Sequence, residues 1–420
     1  NGIIGETDDD IDLYPEIYVS RLPVRTGNHV TSYVNKLLTY EKQPHSSGYI
    51  KSMLLTGTKL WNIWDGQSDA HRRNEVMYEQ YIAPNWNGNK SYLYDTGSSM
   101  AGNANYDLTV DNLQTQINKG YHFLHMATHG GIDAWAMEKG SNYHSSNATA
   151  QTNADATIII TMACSTNGFD SSTDPCLSEA FIRNSKSCLA YLGSSRYGWG
   201  YSIETSDLGP SFKYNALFFK NLFSGEPSVE PYKWGAAVAL AKQQMAGSSG
   251  SYNPERWVQF QLNPMGDPEM NIYTETPSTF SNVTVLQNGT SVTIDTGGIS
   301  GCKIALCSKD DDGESFFSVA EDVSSHTFTN VDVPCCICIM KHNYIPYFFN
   351  QDVYIQNKTL RGKNVFVGKN IKMGRNVTPN ISQGDVTVSE GAEVVVDAEG
   401  NVLLDSGFKC DKGGTLKIIK

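Results

Sequence analysis

No stretch of this sequence approaches the ~20 consecutive apolar residues that a membrane-crossing helix needs, and Lys and Arg nowhere gather into a basic stripe. The first absence leaves no candidate for a helical span. The second, with 44 acidic against 32 basic residues and a formal net charge of −12, excludes the clustered cations on which nucleic-acid binding rests. Cysteines are few: nine in 420 residues, an odd number that leaves at least one thiol free and does not form the framework of a small disulfide-rich domain. Cys335-Cys336-Ile337-Cys338 looks superficially like a metal motif. Successive strand residues point to opposite faces, however, so these thiols are read as core filling. No G-x-S-x-G elbow occurs, which leaves Ser165 without the setting of a serine nucleophile. Asn1 is not an initiator residue, so a processed or trimmed chain is expected, with any leader or pro-segment removed.

What is present is the composition of a folded protein, 40% hydrophobic and 11% aromatic, over a length that implies two or three domains. From Glu16 to about Tyr273, apolar strand-like runs alternate with helical patterns, the signature of a mainly parallel sheet covered by helices. Strands are expected at Glu16 to Val19, Ser52 to Thr56, Tyr121 to Ala127, Thr157 to Met162 and Cys188 to Leu192. Three helical faces are expected: Val30, Tyr33, Val34, Leu37 and Leu38; then Tyr214, Leu217, Phe218 and Leu222; then Trp234, Val238, Ala241 and Met245. After Pro277 the pattern changes to period two, as in Val283/Val285, Val292/Ile294 and Ile304/Leu306, which fits an antiparallel sandwich. From about Asp352, Val386/Val388, Val394/Val396 and Val402/Leu404 recur between glycine corners, which suggests a small β-solenoid, with a second sandwich as the alternative. The expected division is 1–275 α/β, 276–350 β-sandwich and 351–420 solenoid-like. The acidic runs Asp8-Asp9-Asp10 and Asp310-Asp311-Asp312 are either calcium ligands or solvated loop charge.

Two strand ends carry the chemistry. His122-Phe-Leu-His-Met-Ala-Thr-His129-Gly130-Gly131 places a histidine just past the carboxyl end of a buried strand, where ligands bind in open α/β sheets. The next apolar strand, Thr157 to Met162, runs into Ala163-Cys164-Ser165-Thr166-Asn167-Gly168. If these strands are neighbours at ~4.8 Å, their loops bring an imidazole and a thiol together. The thiolate is the nucleophile, and an adjacent imidazole removes the thiol proton and later protonates the leaving amine. Backbone N–H groups of Gly130 and Cys164 would form an oxyanion hole. Each residue alone has an inert reading, a hydrogen-bonded histidine or a buried thiol. His125 is expected to be buried, and Cys176 and Cys188 to sit in the core.

Five motifs in order resemble the gingipain-like cysteine peptidases, family C25 of the caspase-like clan: Glu16-Ile-Tyr-Val-Ser-Arg-Leu-Pro23, Thr128-His129-Gly130-Gly131, Ala163-Cys164-Ser-Thr-Asn-Gly168, Pro175-Cys-Leu-Ser-Glu-Ala-Phe181 and Gly266-Asp267-Pro268. The resemblance covers roughly residues 10 to 273. It implies a caspase-like catalytic domain followed by an immunoglobulin-like one. It also implies a secreted or surface bacterial endopeptidase acting on proteins or peptides through a thioester at Cys164, with His129 as base and acid. A monomer without an organic cofactor is expected, and the family admits bound calcium at ligands the sequence does not name. The segment Gly66-Gln-Ser-Asp69 is similar to the one bearing the S1 aspartate of arginine-specific members, so Asp69 would favour a basic P1 residue, or else serve as an N-cap. Trp199 would line that pocket or sit in the core, and Arg196 would instead favour acidic P1 residues. The family's orienting acid has no counterpart in Leu55-Thr-Gly-Thr-Lys59. Two other readings remain: a non-catalytic surface adhesin on the same scaffold, and acyl transfer from the same thioester.

Overall fold

The structure, a computed structural model, describes residues 11–61, 69–95, 107–137, 140–153, 155–202, 208–224, 230–250, 253–309, 315–331, 335–379 and 381–419. The chain divides into two compact units, Asn1–Pro277 and Ser278–Lys420. The first boundary falls where the sequence texture changes. The second unit holds both all-β regions that the sequence separates.

In chain order the first unit contains α1 (Gly27–Lys42), α2 (Ser47–Ile50), β1 (Ser52–Gly57), α3 (Asp69–Met77) running into a π-helical turn (Tyr78–Ile82), β2 (Asn89–Tyr94) and α4 (Val110–Asn118). Next come β3 (Phe123–Ala127), the short strands β4 (Gly130–Gly131), β5 (Ala134–Trp135) and β6 (Tyr143–His144), α5 (Ser145–Thr149), β7 (Thr157–Met162) and α6 (Leu177–Arg183). The unit ends with β8 (Cys188–Ser194), α7 (Pro210–Ser224), α8 (Trp234–Ala246), α9 (Pro254–Gln261) and β9 (Leu262–Met265). Six strands make one sheet in the order β2-β1-β3-β7-β8-β9, parallel except for β9.

Every residue of β7 is buried, because a central parallel strand is covered on both faces and needs no polar alternation. Successive residues go to opposite sides. Ile158 and Ile160 join Phe212 and Phe218 of α7 and Trp234 of α8, whereas Ile159 joins Leu177 and Phe181 of α6. Each such side chain contributes about 1.5–3 kcal/mol by leaving water. The helices start where capping side chains allow it. Thr26 Oγ1 accepts from His29 N at 3.2 Å, and Asn253 Oδ1 accepts from Arg256 N at 3.0 Å, with Pro254 at the first helical position.

Four expectations are corrected. The run Glu16 to Val19 is not a sheet strand; Ile17 and Val19 are exposed, and only a single bridge, Arg21 to Met265, joins this region to the sheet. β2 and β9 were not expected, the first because it is polar and the second because Pro264 lies in it, which an edge strand tolerates. On α1 the buried stripe is Tyr33, Lys36 and Tyr40, while Val30, Val34 and Leu38 face solvent. Lys36 takes an inward position because its Nζ donates to the Ile182 and Asn184 carbonyls at 3.1 and 2.7 Å, at the end of α6; burial lowers its ammonium to about 8. Finally, of the Cys335–Cys338 group only Cys335 is buried; Cys336 and Cys338 are half-buried on the other face of their strand.

The second unit begins with β10 (Thr284–Asn288), β11 (Ser291–Asp295), β12 (Cys302–Lys309), β13 (Ser315–Val323), β14 (Ser325–Phe328), β15 (Cys335–Met340) and β16 (Tyr347–Asn350). They form two antiparallel sheets, β10-β11-β14 and β13-β12-β15-β16, which share a core of Val292, Ile294, Ile304, Leu306, Ile337 and Ile339. Then follow β17 (Val353–Ile355), β18 (Lys358–Leu360), β19 (Lys363–Gly368), β20 (Ile371–Met373), β21 (Val386–Val388), β22 (Glu393–Ala398), β23 (Val402–Leu404), β24 (Phe408–Cys410) and β25 (Thr415–Ile419). These pair in parallel as β17-β20-β23, β18-β21-β24 and β19-β22-β25, three strands per side of a coil. The repeating valine pairs of β21, β22 and β23 therefore lie in different sheets: their step relates neighbours around the coil and not strands stacked upon one another.

Candidate active site

β3 and β7 are paired in register, with Ala127 opposite Met162. His129 and Cys164 each lie two residues beyond that last pair, so both leave adjacent strands at the same level. The sheet spacing is ~4.8 Å, and the two loops stay close. Thr128 N donates to the Met162 carbonyl at 3.1 Å. A Cβ built on Gly130 would stand 2.5 Å from Cys164 O and 3.1 Å from Ala163 Cβ. Only glycine permits this approach.

Cys164 opens a tight turn. Ser165 has φ 58°, the left-handed conformation that a non-glycine residue seldom adopts; its N–H donates to the Arg196 carbonyl at 2.7 Å and its carbonyl accepts from Gly168 N at 2.9 Å. The half-buried thiol has the Gly198 carbonyl at 3.9 Å. Burial pushes the thiol above its ordinary value against the lowering effect of backbone hydrogen bonds at Gly198 and Cys164. It therefore stays in the thiol form at neutral pH.

His129 is exposed, and its Nε2 lies 3.1 Å from the Leu60 carbonyl. A carbonyl only accepts, so Nε2 is the donor here, and in the neutral ring the lone pair then lies on Nδ1. The segment that supplies this carbonyl follows β1 and is fastened at both ends. Thr58 N donates to the Ala127 carbonyl at 2.9 Å, the Thr58 and Thr128 hydroxyls are 2.8 Å apart, and the Leu60 and Trp61 amides donate to Asp69 Oδ2. Thr58, Lys59, Leu60, Trp61, His129, Ala136 and Met137 line a cleft of about 270 Å³. The hairpin β4-β5 returns the chain to it, with Ala136 N donating to the His129 carbonyl at 2.8 Å.

The structure thus brings the backbone at Gly130, next to His129, against that of Cys164, and places Asp69 behind the Leu60–Trp61 wall of the cleft. Asp69 is fully buried. Burial raises its carboxyl, opposed by the Trp61 and Leu60 amides and by the Arg73 charge. Oδ2 is occupied, whereas Oδ1 is buried without a hydrogen-bond partner among the described residues. Residues 66–68, which precede it in the S1-like segment, lie outside the described residues. Trp199 is 40% exposed, which removes its core reading. Arg196 forms a bidentate pair with Asp170 at 3.0 and 2.7 Å, so its guanidinium is already engaged at the surface. His125, Cys176 and Cys188 are buried; Asn215 Nδ2 donates to His125 Nε2 at 3.1 Å, and burial lowers that imidazole to about 3.

Sequence reading missed Leu60 and Trp61. Leu60 acts through its backbone, which carries no residue signature, and Trp61 is placed by long-range contacts: its amide is held by Asp69, the Arg73 guanidinium lies 5.9 Å from the centre of its ring, and a Cβ added to Gly200 would stand 2.5 Å from that ring. Asp8–Asp10 and Asp310–Asp312 lie outside the described residues; among the described residues no group of three or more His, Cys, Asp or Glu is arranged to hold a metal ion, and no helix is long and apolar enough to cross a membrane.

Residues 4–273 match the sequence model of Peptidase family C25. Lys-gingipain W83 of Porphyromonas gingivalis is 26% identical over 262 residues, 58% of this chain and 14% of that protein. A second Lys-gingipain of that species is 24% identical over 261 residues, again 58% and 14%. The chain therefore matches a small part of its curated relatives' length. Two solved structures share the fold. The crystal structure of the Arg specific cysteine proteinase gingipain R has a TM-score of 0.61 at 18% identity, covering 80% of this chain and 75% of that one. The complex of Porphyromonas gingivalis RgpB pro- and mature domains has a TM-score of 0.60 at 16% identity, covering 80% and 77%.

Proposed function

The chain belongs to peptidase family C25, and on that premise we propose that it is a secreted or surface cysteine endopeptidase with Cys164 as nucleophile and His129 as general base and acid. The observation that carries this reading is the register of β3 and β7, which sets both residues at one level beyond adjacent strand ends. His129 Nδ1 accepts the Cys164 proton as Sγ attacks the scissile carbonyl, and the developing oxyanion is met by the Gly130 and Cys164 N–H groups. The imidazolium then gives its proton to the leaving amine, which departs and leaves a thioester. Water, deprotonated by the same nitrogen, hydrolyses the thioester and restores the thiol. The raised thiol fits this order, because a resting thiol surrenders its proton only when the base acts on it.

A basic P1 residue is the second element of the reading, supported by the orphaned Asp69 Oδ1. An Arg or Lys side chain supplies the donor that this buried oxygen lacks, although it would share the carboxylate with Arg73, whose charge already acts there. The two sheets of residues 284–350 and the coil of residues 353–419 are read as immunoglobulin-like and solenoid-like appendages, with substrate protein or peptide as the partner of the first unit.

The test is to incubate the chain and its Cys164→Ala variant with a peptide library, under reducing conditions with calcium added, and to sequence the new termini. Cleavage by the parent alone, after Arg or Lys, is expected. Equal cleavage by both proteins, or none by either, overturns the dyad. Cleavage confined to other P1 residues rejects Asp69 as the specificity group while leaving the dyad in place.

A further inference from the structure

Four consecutive amides, from Thr58 to Trp61, are each tied to a fixed acceptor, and three of them end on carboxylates. Thr58 N donates to the Ala127 carbonyl; Lys59 N donates to Asp95 Oδ2 at 2.5 Å; Leu60 N donates to Asp69 Oδ2 at 2.7 Å, and Trp61 N donates to the same oxygen. Asp95 directly follows β2 and is 1% exposed; Asp69 opens α3 and is 0% exposed. Desolvating a carboxylate is unfavourable by several kcal/mol unless hydrogen bonds compensate, so two of them on one short segment immobilise its backbone strongly. Asp69 opens α3, and its Oδ2 reaches back to this segment. The carbonyl held between the clamped amides is that of Leu60, which sets the His129 ring.

We propose that Asp95 and Asp69 are positioning residues for His129: by fixing the peptides of residues 59–61 they aim the Leu60 carbonyl at Nε2 and thereby keep Nδ1 as the free base toward Cys164. The orienting acid that Leu55 to Lys59 lacks is thus replaced by two acids acting through a backbone carbonyl. This rests on the dyad reading above. A clamp that merely supported the cleft wall would change folding stability and substrate affinity, but not the coupling of imidazole and thiol.

Asp95 gives the cleaner test, since Asp69 is also the candidate P1 group. Full-length parent, Asp95→Ala, Asp95→Asn and His129→Ala are alkylated with iodoacetamide across pH 5 to about 10, with modification of Cys164 followed by peptide mass mapping because Cys307 and Cys410 are also exposed. The same proteins are assayed on the best peptide of the library for kcat and KM. Asp95→Ala is expected to lower kcat about 10- to 100-fold, with KM within about threefold of the parent, and to shift its Cys164 alkylation profile toward that of His129→Ala. Asp95→Asn, which keeps an acceptor for the Lys59 amide, is expected to recover part of the loss. A parental alkylation profile in a folded Asp95→Ala, or a loss confined to KM, overturns the positioning role and leaves the dyad standing. A parental profile that already matches His129→Ala removes the dyad and this inference with it.

Discussion

Adjacent glycines in the His129 loop should respond very differently to the same substitution. A methyl group on Gly130 would lie 2.5 Å from Cys164 O, 2.9 Å from Thr166 Cγ2 and 3.1 Å from Ala163 Cβ, whereas one on Gly131 meets nothing within 4 Å. A carbon–oxygen contact of ~3.3–3.6 Å is the ordinary minimum, so Gly130→Ala requires the histidine and cysteine loops to separate by roughly 0.8–1.1 Å. Backbone conformation does not relieve this, because neither glycine has positive φ. Overpacking of this kind destabilises by about 1–3 kcal/mol. Misplacing reacting groups by about 1 Å lowers turnover by on the order of 100-fold. Gly130→Ala is therefore expected to stay folded at 25 °C, with a reduced melting temperature and kcat/KM down ~10- to 100-fold. Gly131→Ala should remain within about twofold of the parent in both. The assay is peptide cleavage with thermal denaturation run alongside. Parental turnover in Gly130→Ala, or equal losses in the two variants, would refute the claim that the closeness of these two loops is what makes the site.

Acid should unfold the first unit partly through His125, which burial holds at about 3 against 6.5 for the exposed group. Between these values the unfolded chain binds the proton and the folded one does not, so this contribution is complete above pH 6.5 and disappears as pH falls toward 3, by up to about 1.4 kcal/mol per pH unit. Urea titrations at several pH values should show the slope flattened in His125→Gln, which can still accept from Asn215; an unchanged slope would sink the assignment. In the second unit, Cys307 and Cys336 are direct partners across β12 and β15, and neither thiol is in the core. The spacing of opposed strand residues, ~4.5–5.5 Å between Cα atoms, lies within the reach of a disulfide. Glutathione disulfide should take two electrons and two protons from this pair to leave one disulfide, detected as a cross-linked peptide absent from Cys307→Ser. Persistence of both thiols, or only mixed disulfides with glutathione, would refute it.

Much of this arrangement was legible in the chain itself, for identifiable reasons. The uninterrupted apolar run Thr157 to Met162 can hardly be anything but a doubly covered strand, and α7 and α8 bury the faces that their spacing selects. The α1 stripe is not legible from spacing, because a lysine reads as surface unless a helix end lies beneath it, as the end of α6 does beneath Lys36. Glu16 to Val19 has strand-forming residues, but among the described residues none of them pairs with a strand, and the nearest bridge is at Arg21. β9 was hidden by Pro264, which is harmless only because the strand lies at an edge.

For the site, the sequence by itself determined which side chains the proposed chemistry uses: an imidazole and a thiol, each just past an apolar strand, and a glycine beside the histidine. These are properties of residue type and local order, and they survive any arrangement of the remainder. Tertiary structure alone decided that β3 and β7 are neighbours in register, that the Leu60 carbonyl meets His129 Nε2, and that Asp69 and Asp95 converge on the segment between them. Those contacts join positions 8 to 69 residues apart along the chain, and the decisive one uses a carbonyl that every residue possesses. Only folding can distinguish one carbonyl from another.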